Sequence, residues 1–570
     1  MKPKLLVAII ILIALSGLGF LFTASNNYSL PTKKTESVKS TSIIAVVPHH
    51  DLVKESRSKL FEKISRQSQP KTIILLSPNH FTSGSSELIT SNRNWLLSNG
   101  DKILLSDQDL ENKITQNNLV EEDNQVFDNE HGIKNLLGEI KQFFPESKLA
   151  PIIIKEEINP EKIKNLSDFL LKECPDCGII ASVDFSHYQP AHVAEIHDIK
   201  TLRILNNLDA EEIWYAETDS NASLAFLIQW AKAKKLIRFN LFDHTNSGLI
   251  SGNYDVETTT HILGYYSSGE TMQPAESFTF TFAGDAMFGR KIGHTFQQNN
   301  FKDLFTNFGN RTFWGTDISW LNLEGPISDK IIKQNPNDKS LSFNFSKQTI
   351  EALKYLRIST IGLANNHTEN QGRIGLQKTI SILNDAGIDY GGNSSEINEN
   401  SVNRYEKGSI KISSIATNEL WGPSNISEII KKEKAGNRFV IILPHWGNEY
   451  QKTHSASQEN AARIWVAAGA DLIIGNHPHV IQDAQIINNR LVLYSLGNFI
   501  FDQYFSKETQ QGLIVSGVLT DEKIKIVLMP VESKNLKPEL LKGAEKRAII
   551  NKICSNISDY CHEDIIELSK

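Results

Sequence analysis

Asp285 follows the apolar run FTFTFAG (278–284), and Glu324 closes ISWLNLE (318–324). Asn365, Asn366 and His367 follow STIGLA (359–364), His445 follows FVIILP (439–444), and His477 and His479 follow DLIIG (471–475). Carboxylates, an amide and imidazoles make a mixed oxygen and nitrogen donor set. Such a set suits Mn, Fe or Zn better than Ca, which prefers oxygen alone, or a thiolate-held structural zinc. A carboxylate bridging two ions about 4 Å apart lets the pair activate water and stabilise the leaving oxygen of a displacement. One strand-end histidine is more often a satisfied turn residue than a ligand. The recurrence at successive run ends is what points to a site.

The first half carries a second constellation. His49 and His50 come just after IIAVV (43–47), Asn79 and His80 just after TIILL (72–76), and Glu130 and His131 open an amphipathic stretch. Asp184, Ser186 and His187 come after GIIAS (178–182). Three histidines with an Asp or Glu could form a mononuclear site of the two-His-one-carboxylate kind, which suits iron. A polar pocket without metal is the alternative. His192, His197, His244 and His261 lack this context and read as solvated or structural.

The elements that must position these groups follow from the apolar runs. Short continuous runs separated by amphipathic helical stretches predict buried parallel strands in an α/β sheet, once in 42–268 and again in 276–534. Residues 375–386 and 457–468 read as helices of the second series. The polar segment SSGETMQPAES (267–277) marks the boundary between the two. In open α/β sheets ligands bind beyond the carboxyl ends of the strands, where these side chains fall. In an extended segment i and i+2 point the same way, so His477 and His479 are expected to converge. Residues 535–570 are rich in Lys and Glu and read as a helical tail.

GDAMFGR (284–290), NLEGP (322–326), LANNHTENQG (363–372), PHWGNEY (444–450), GNHPHV (475–480) and YSLGNF (494–499) resemble, in order, the motifs of the CapA family of capsule synthesis, associated with poly-γ-glutamate. The resemblance implies a calcineurin-like metallophosphoesterase fold, a four-layer sandwich. It also implies a two-metal shell of Asp285, Glu324, Asn366, His367, His445, His477 and His479. His367, beside Asn366, is alternatively a general acid. Two positions depart from the pattern: Met287 stands where a phosphoesterase has His, and Asn370 where the family has Asp. PHHD (48–51), SPNH (77–80), NEHG (129–132), SVDFSHY (182–188), NSGLISGNY (246–254) and ILGYY (262–266) resemble the Memo-like family, whose bacterial members are called AmmeMemoRadiSam system protein B. That likeness implies a fold like class III extradiol dioxygenases and one iron held by His49, His80 and His187, with Asp184 beside them.

The chain's length of 570 residues requires more than one core. A net charge of -7 argues against a general nucleic-acid binder. Lys2 and Lys4 precede an unbroken apolar run over 5–23, long enough to cross about 30 Å of hydrocarbon. Residues 1–24 therefore read as an uncleaved anchor, with a cleaved signal as the alternative, and 25–41 as a linker. The lysines stay inside, which leaves the bulk of the chain outside the cytoplasm. Cys174, Cys177, Cys554 and Cys561 suit that compartment either as disulfides or as free thiols. The expected function is a membrane-anchored protein of surface-polymer biosynthesis. It would act on an anionic polymer or small molecule, with other capsule-synthesis membrane proteins as partners. An iron-dependent oxidoreductase and a non-catalytic metal-binding scaffold are the alternatives.

Overall fold

The computed structural model describes residues 42–97, 103–270, 276–298, 300–420, 422 and 425–570. The segments read as anchor and linker (1–41) lie outside the described residues. Among those described, no helix is long and apolar enough to cross a membrane. The described residues form one compact unit.

The apolar runs 43–47, 72–76 and 178–182, together with a fourth, PIII (151–154), become the centre of a nine-stranded sheet. Ile44–Val47, Gly178–Ser182, Thr72–Pro78 and Lys148–Ile154 lie side by side in that order, all parallel. Alternate residues feed two cores. Ile44, Val46, Ile74 and Leu76 join helices Pro160–Glu173 and Asn221–Ala233 on one face. Ala45, Val47, Ile73 and Leu75 join helices Lys54–Ser65 and His131–Phe143 on the other. Cover on both faces explains runs that are apolar throughout rather than alternating. One edge of this sheet is an antiparallel hairpin, Arg238–Asn246 with Thr258–Ser267, whose outer strand is polar and carries no apolar run.

Among the described residues the second half holds two sheets. Ser277–Ala286, Ile318–Leu323 and Thr360–Gly362 are parallel neighbours in a ten-stranded sheet, while Phe439–His445 and Leu472–Ile474 are parallel neighbours in a six-stranded one. Phe278, Phe280, Phe282 and Trp320 of the first meet Ile412, Ile441, Leu443 and Ile474 of the second in a shared core. Helix Gly372–Ala386 covers the outer face of one sheet, and Ser427–Ala435 with Ala456–Ala468 that of the other. The two sets of carboxyl strand ends therefore open on a common edge. Residues 491–499, LVLYSLGNF, do not form a single strand. Arg490–Leu493 pairs in the six-stranded sheet, and Asn498–Ile500 pairs with Ser277–Ala286 in the other. The chain crosses at Gly497, which has a φ of +66° and packs so closely on Gly284 that a Cβ there would meet the Gly497 carbonyl at 1.9 Å.

The expected helical tail is corrected. It holds one helix, Gly543–Cys554, but Lys537–Leu540 and Ile565–Ser569 both pair antiparallel with Lys523–Lys534. Ile566 and Leu568 enter the inter-sheet core while Glu567 between them stays exposed. This period-two pattern is short, and the surrounding charge hides it. Both cysteine pairs, Cys174–Cys177 and Cys554–Cys561, are disulfides.

The halves share a packed seam. Val193 and Ile196 of helix Ala191–Asn207 belong to a second-half core. Arg203 of the same helix pairs with Asp317 at 2.6 Å and with Glu212 at 2.7 Å. Lys546 binds Asp255 and Asp564 at 2.6 Å each, and His192 Nδ1 lies 2.7 Å from Asp564.

Candidate metal centres

Asp285, Glu324 and His479 present ligand atoms within 4.8 Å of one another, and all three are buried. Asp285 lies one residue before the end of its strand and Glu324 just after the neighbouring one, so parallel pairing places the two carboxylates together. Asn322 Nδ2 donates to Asp285 Oδ1 at 2.8 Å, and the His477 backbone N–H donates to Asp285 Oδ2 at 3.2 Å. His479 Nδ1 lies 3.4 Å from Asp285 Oδ2 and 3.0 Å from Asn498 Oδ1, while its Nε2 lies 3.8 Å from Glu324 Oε2. Glu449, on the exposed rim, groups with His477 and His479 in the same way.

Burial, with Asp285 beside it, raises the Glu324 carboxyl well above the usual carboxylate range. Burial alone would depress His479, but the Glu324 and Asp285 carboxylates outweigh it and hold its pKa at about 9. His477 falls to about 4 through burial and the neighbouring His479 charge. His445, wholly enclosed among imidazoles, is pushed well below its ordinary value. Two carboxylates facing each other in a dry pocket cannot both ionise without a cation or a proton between them.

His477 and His479 do not converge by extended geometry as expected. Their φ angles are +98° and +58°, and the ring centroids lie 5.9 Å apart. Non-glycine residues rarely adopt this region, and such strain persists where the surroundings enforce it. His445 Nε2 lies 2.9 Å from Asn366 Oδ1, and its ring is 4.7 Å from that of His477. His367 lines the rim against Phe343, with Nδ1 3.1 Å from Asn370 Oδ1, and burial lowers its pKa. Met287 is fully buried, and its sulfur accepts from the Gly289 N–H at 3.0 Å.

In the first half two overlapping groups share His49: His49 with His80 and His131, and His49 with Asp184 and Asp219. His49 Nε2 lies 3.1 Å from Asp184 and 3.4 Å from Asp219, and His80 Nε2 3.8 Å from Asp219. Glu130 accepts from His80 Nδ1 at 2.5 Å and also caps helix His131–Phe143. Burial opposes the charged His80 ring, but Asp219 and Glu130 raise its pKa to about 9. His187 belongs to neither group, and its buried Nδ1 has no hydrogen-bond partner. His261, read as structural or solvated, is fully buried with Nδ1 3.6 Å from Asp184.

Residues 23–261 match the family described as Memo-like protein, and residues 279–503 match Bacterial capsule synthesis protein PGA_cap. This chain is a Memo-like domain joined to a PGA_cap domain. The PGA_cap half is 30% identical over 262 residues to the capsule biosynthesis protein CapA of Bacillus anthracis, covering 42% of this chain and 63% of that protein. It is 24% identical over 294 residues to the PGA biosynthesis protein CapA of Bacillus subtilis, covering 48% and 77%. The Memo-like half is 24% identical over 258 residues to a MEMO1 family protein of Caldivirga maquilingensis, covering 43% and 89%. The chain thus spans less than two thirds of the first of these relatives.

The PGA_cap donor set fits a divalent cation. Glu324 Oε2 and His477 Nδ1 are buried without a hydrogen-bond partner, as donors kept for a cation would be. In the Memo-like half Asp184 Oδ1 and Asp219 Oδ1 are orphaned in the same way. Sequence reasoning missed Asn322, although it shares a strand face with Glu324 at i+2, and it missed Glu449. It also missed Asp219, which sits in a turn before a helix where no apolar run announces it.

Proposed function

We propose that this chain is an exported protein, tethered to the cell membrane by residues 1–24, that acts in capsule, poly-γ-glutamate or other surface-polymer metabolism. Its working part is a metal-dependent hydrolase-type centre in the PGA_cap half. The observation that carries this reading is the buried Asp285, Glu324 and His479 group with its orphaned Glu324 oxygen. Asp285, Glu324, Asn366, His445, His477 and His479 would hold two divalent ions of Mn, Fe or Zn. Ions bound there supply Lewis-acid charge to an anionic or amide-linked substrate and lower the pKa of water.

The chain's own residues supply the remainder. Asn322 holds the Asp285 carboxylate in place through its amide. Asn366 orients His445 and stands beside His367. His367 protonates the leaving group from the rim, and because burial lowers its pKa this role favours the acidic side of neutrality. The membrane neighbours of such a protein would be other capsule-synthesis components.

Metal analysis of residues 40–570, purified without added metal or chelator, tests the reading. His479→Ala should remove about two ions and abolish hydrolysis of phosphoesters or γ-glutamyl polymers. Unchanged metal content would sink it. A second reading, an iron-dependent oxidoreductase in the Memo-like half, is favoured by the two groups that share His49. Its mark would be oxygen consumption lost in His49→Ala and His80→Ala but kept in His479→Ala.

A further inference from the structure

The seam between the halves holds a half-open cleft of about 220 Å³ lined by Lys200, Arg357, Lys407, Glu212, Asp317 and Trp314. Its carboxylates are already committed. Arg203 pairs with both Glu212 and Asp317, and Lys407 pairs with Glu212 at 2.9 Å. Counting direct ion pairs among the described residues, Lys200, Arg203, Arg357 and Lys407 against Glu212 and Asp317 leave two positive charges with no carboxylate in contact.

Those two are Lys200 and Arg357. Lys200 is 4% exposed, and its ammonium donates to the Tyr215 carbonyl at 3.0 Å in the Memo-like half and to the Thr316 carbonyl at 2.9 Å in the PGA_cap half. An ammonium has three N–H groups, so one is left over. Burial without a carboxylate in contact lowers the Lys200 pKa to about 8. Arg357 lies with its guanidinium 3.6 Å from the centre of the Trp314 ring, and its buried Nη1 has no hydrogen-bond partner. Glu156 and Glu217 act on Arg357 only at longer range. Arg357 also sits in the left-handed region at φ +54°, just past helix Thr349–Tyr355, a position that favours glycine. A guanidinium with an unpaired buried Nη1, stacked on an aromatic wall of a half-open cleft, has the geometry that suits bidentate recognition of an oxyanion.

We propose that this seam cleft binds a small phosphate-type dianion, held by the third N–H of Lys200 and the guanidinium of Arg357. The dianion supplies the two missing negative charges, and its ligands come from both halves. The site is separate from both metal centres and stands whether or not they are catalytic.

Calorimetric titration of the full chain with inorganic phosphate, after chelator treatment to silence any metal-held phosphate, tests this. Saturable binding should appear in the unsubstituted chain and persist in His479→Ala. Arg357→Gln should weaken it about tenfold or more, with Arg357→Lys intermediate. Lys200→Met should abolish it. If Lys200→Met does not fold, Arg357→Gln with an unchanged near-UV spectrum carries the result. No saturable binding at millimolar phosphate, or equal affinity in Arg357→Gln, would overturn the proposal.

Discussion

Arg311 of the PGA_cap half donates to Glu217 of the Memo-like half at 2.6 Å, and Glu217 accepts the His187 backbone N–H at 2.8 Å. Glu217 is two residues from Asp219, so a side chain of the second half braces the loop that carries a candidate ligand of the first. The pairing gives a physical reason for the two domains to share a chain.

Arg311→Ala should therefore destabilise the protein by about 3 kcal/mol, because it leaves a buried carboxylate without its cation. Burial opposes the ionised Glu217, but His197 and Arg311 outweigh it and hold the carboxyl below its ordinary value of 4.5. The stabilisation is then full above pH 4.5 and lost as pH falls through the depressed value. Thermal unfolding across pH 3 to 7 reads the effect. Metal affinity at His49 should fall with it, whereas an unaltered melting profile would show that the bridge is dispensable.

Glu324→Gln separates the cation-free protein from the loaded one. In the cation-free state burial and Asp285 push the Glu324 carboxyl well above the usual carboxylate range, toward its neutral form, so a neutral amide of the same shape should change stability by less than about 1 kcal/mol. Metal affinity should drop about 100-fold or more, since a ligand oxygen is lost. Paired melting curves with and without Mn or Zn measure both. A large loss of stability without metal would mean that Glu324 is ionised and structural.

The legible parts of the molecule are those where one local signal suffices. The strands at 44–47, 72–78, 148–154 and 178–182 are covered on both faces, and so their central positions read as continuous apolar runs. Asp285, Glu324, His445 and the 477–479 pair stood out because parallel topology puts chemistry at strand ends. What stayed hidden depends on distance in sequence. Asp219 enters its site only through the fold of a turn onto Asp184, where its side chain accepts the Asp184 N–H at 3.1 Å. His261 comes from the hairpin strand Thr258–Ser267, and its alignment with Asp184 needs the register of that pairing. The final strand, Ile565–Ser569, was masked by the charges around it.

His244 should give the protein an alkaline limit of its own. Its Nε2 lies 2.7 Å from Asp198 Oδ2, and Asp198 is fully buried. Burial works against the charged ring, but the Asp198 hydrogen bond outweighs it and raises the pKa above 6.5. The pair's stabilisation is full below pH 6.5 and lost as pH rises through the raised value. His244→Gln should cost about 2 kcal/mol at pH 6 and less at pH 9, which chemical denaturation at the two values would show. Equal losses at both would remove the charge from the account.

Asn370 sets the proton on His367. Its Oδ1 accepts the Phe343 N–H at 2.7 Å and lies 3.1 Å from His367 Nδ1, orienting the ring without adding charge. Burial is then free to lower the His367 pKa. Asn370→Asp keeps the shared acceptor oxygen in place and adds a negative charge, which should raise the His367 pKa by about 1 or more. If His367 is the general acid, the alkaline limb of the hydrolysis profile should move up by the same amount, with the ring's titration followed by NMR. A shifted titration with an unmoved rate profile would take His367 out of the proton transfer and leave it as a rim residue that shapes the pocket with Phe343.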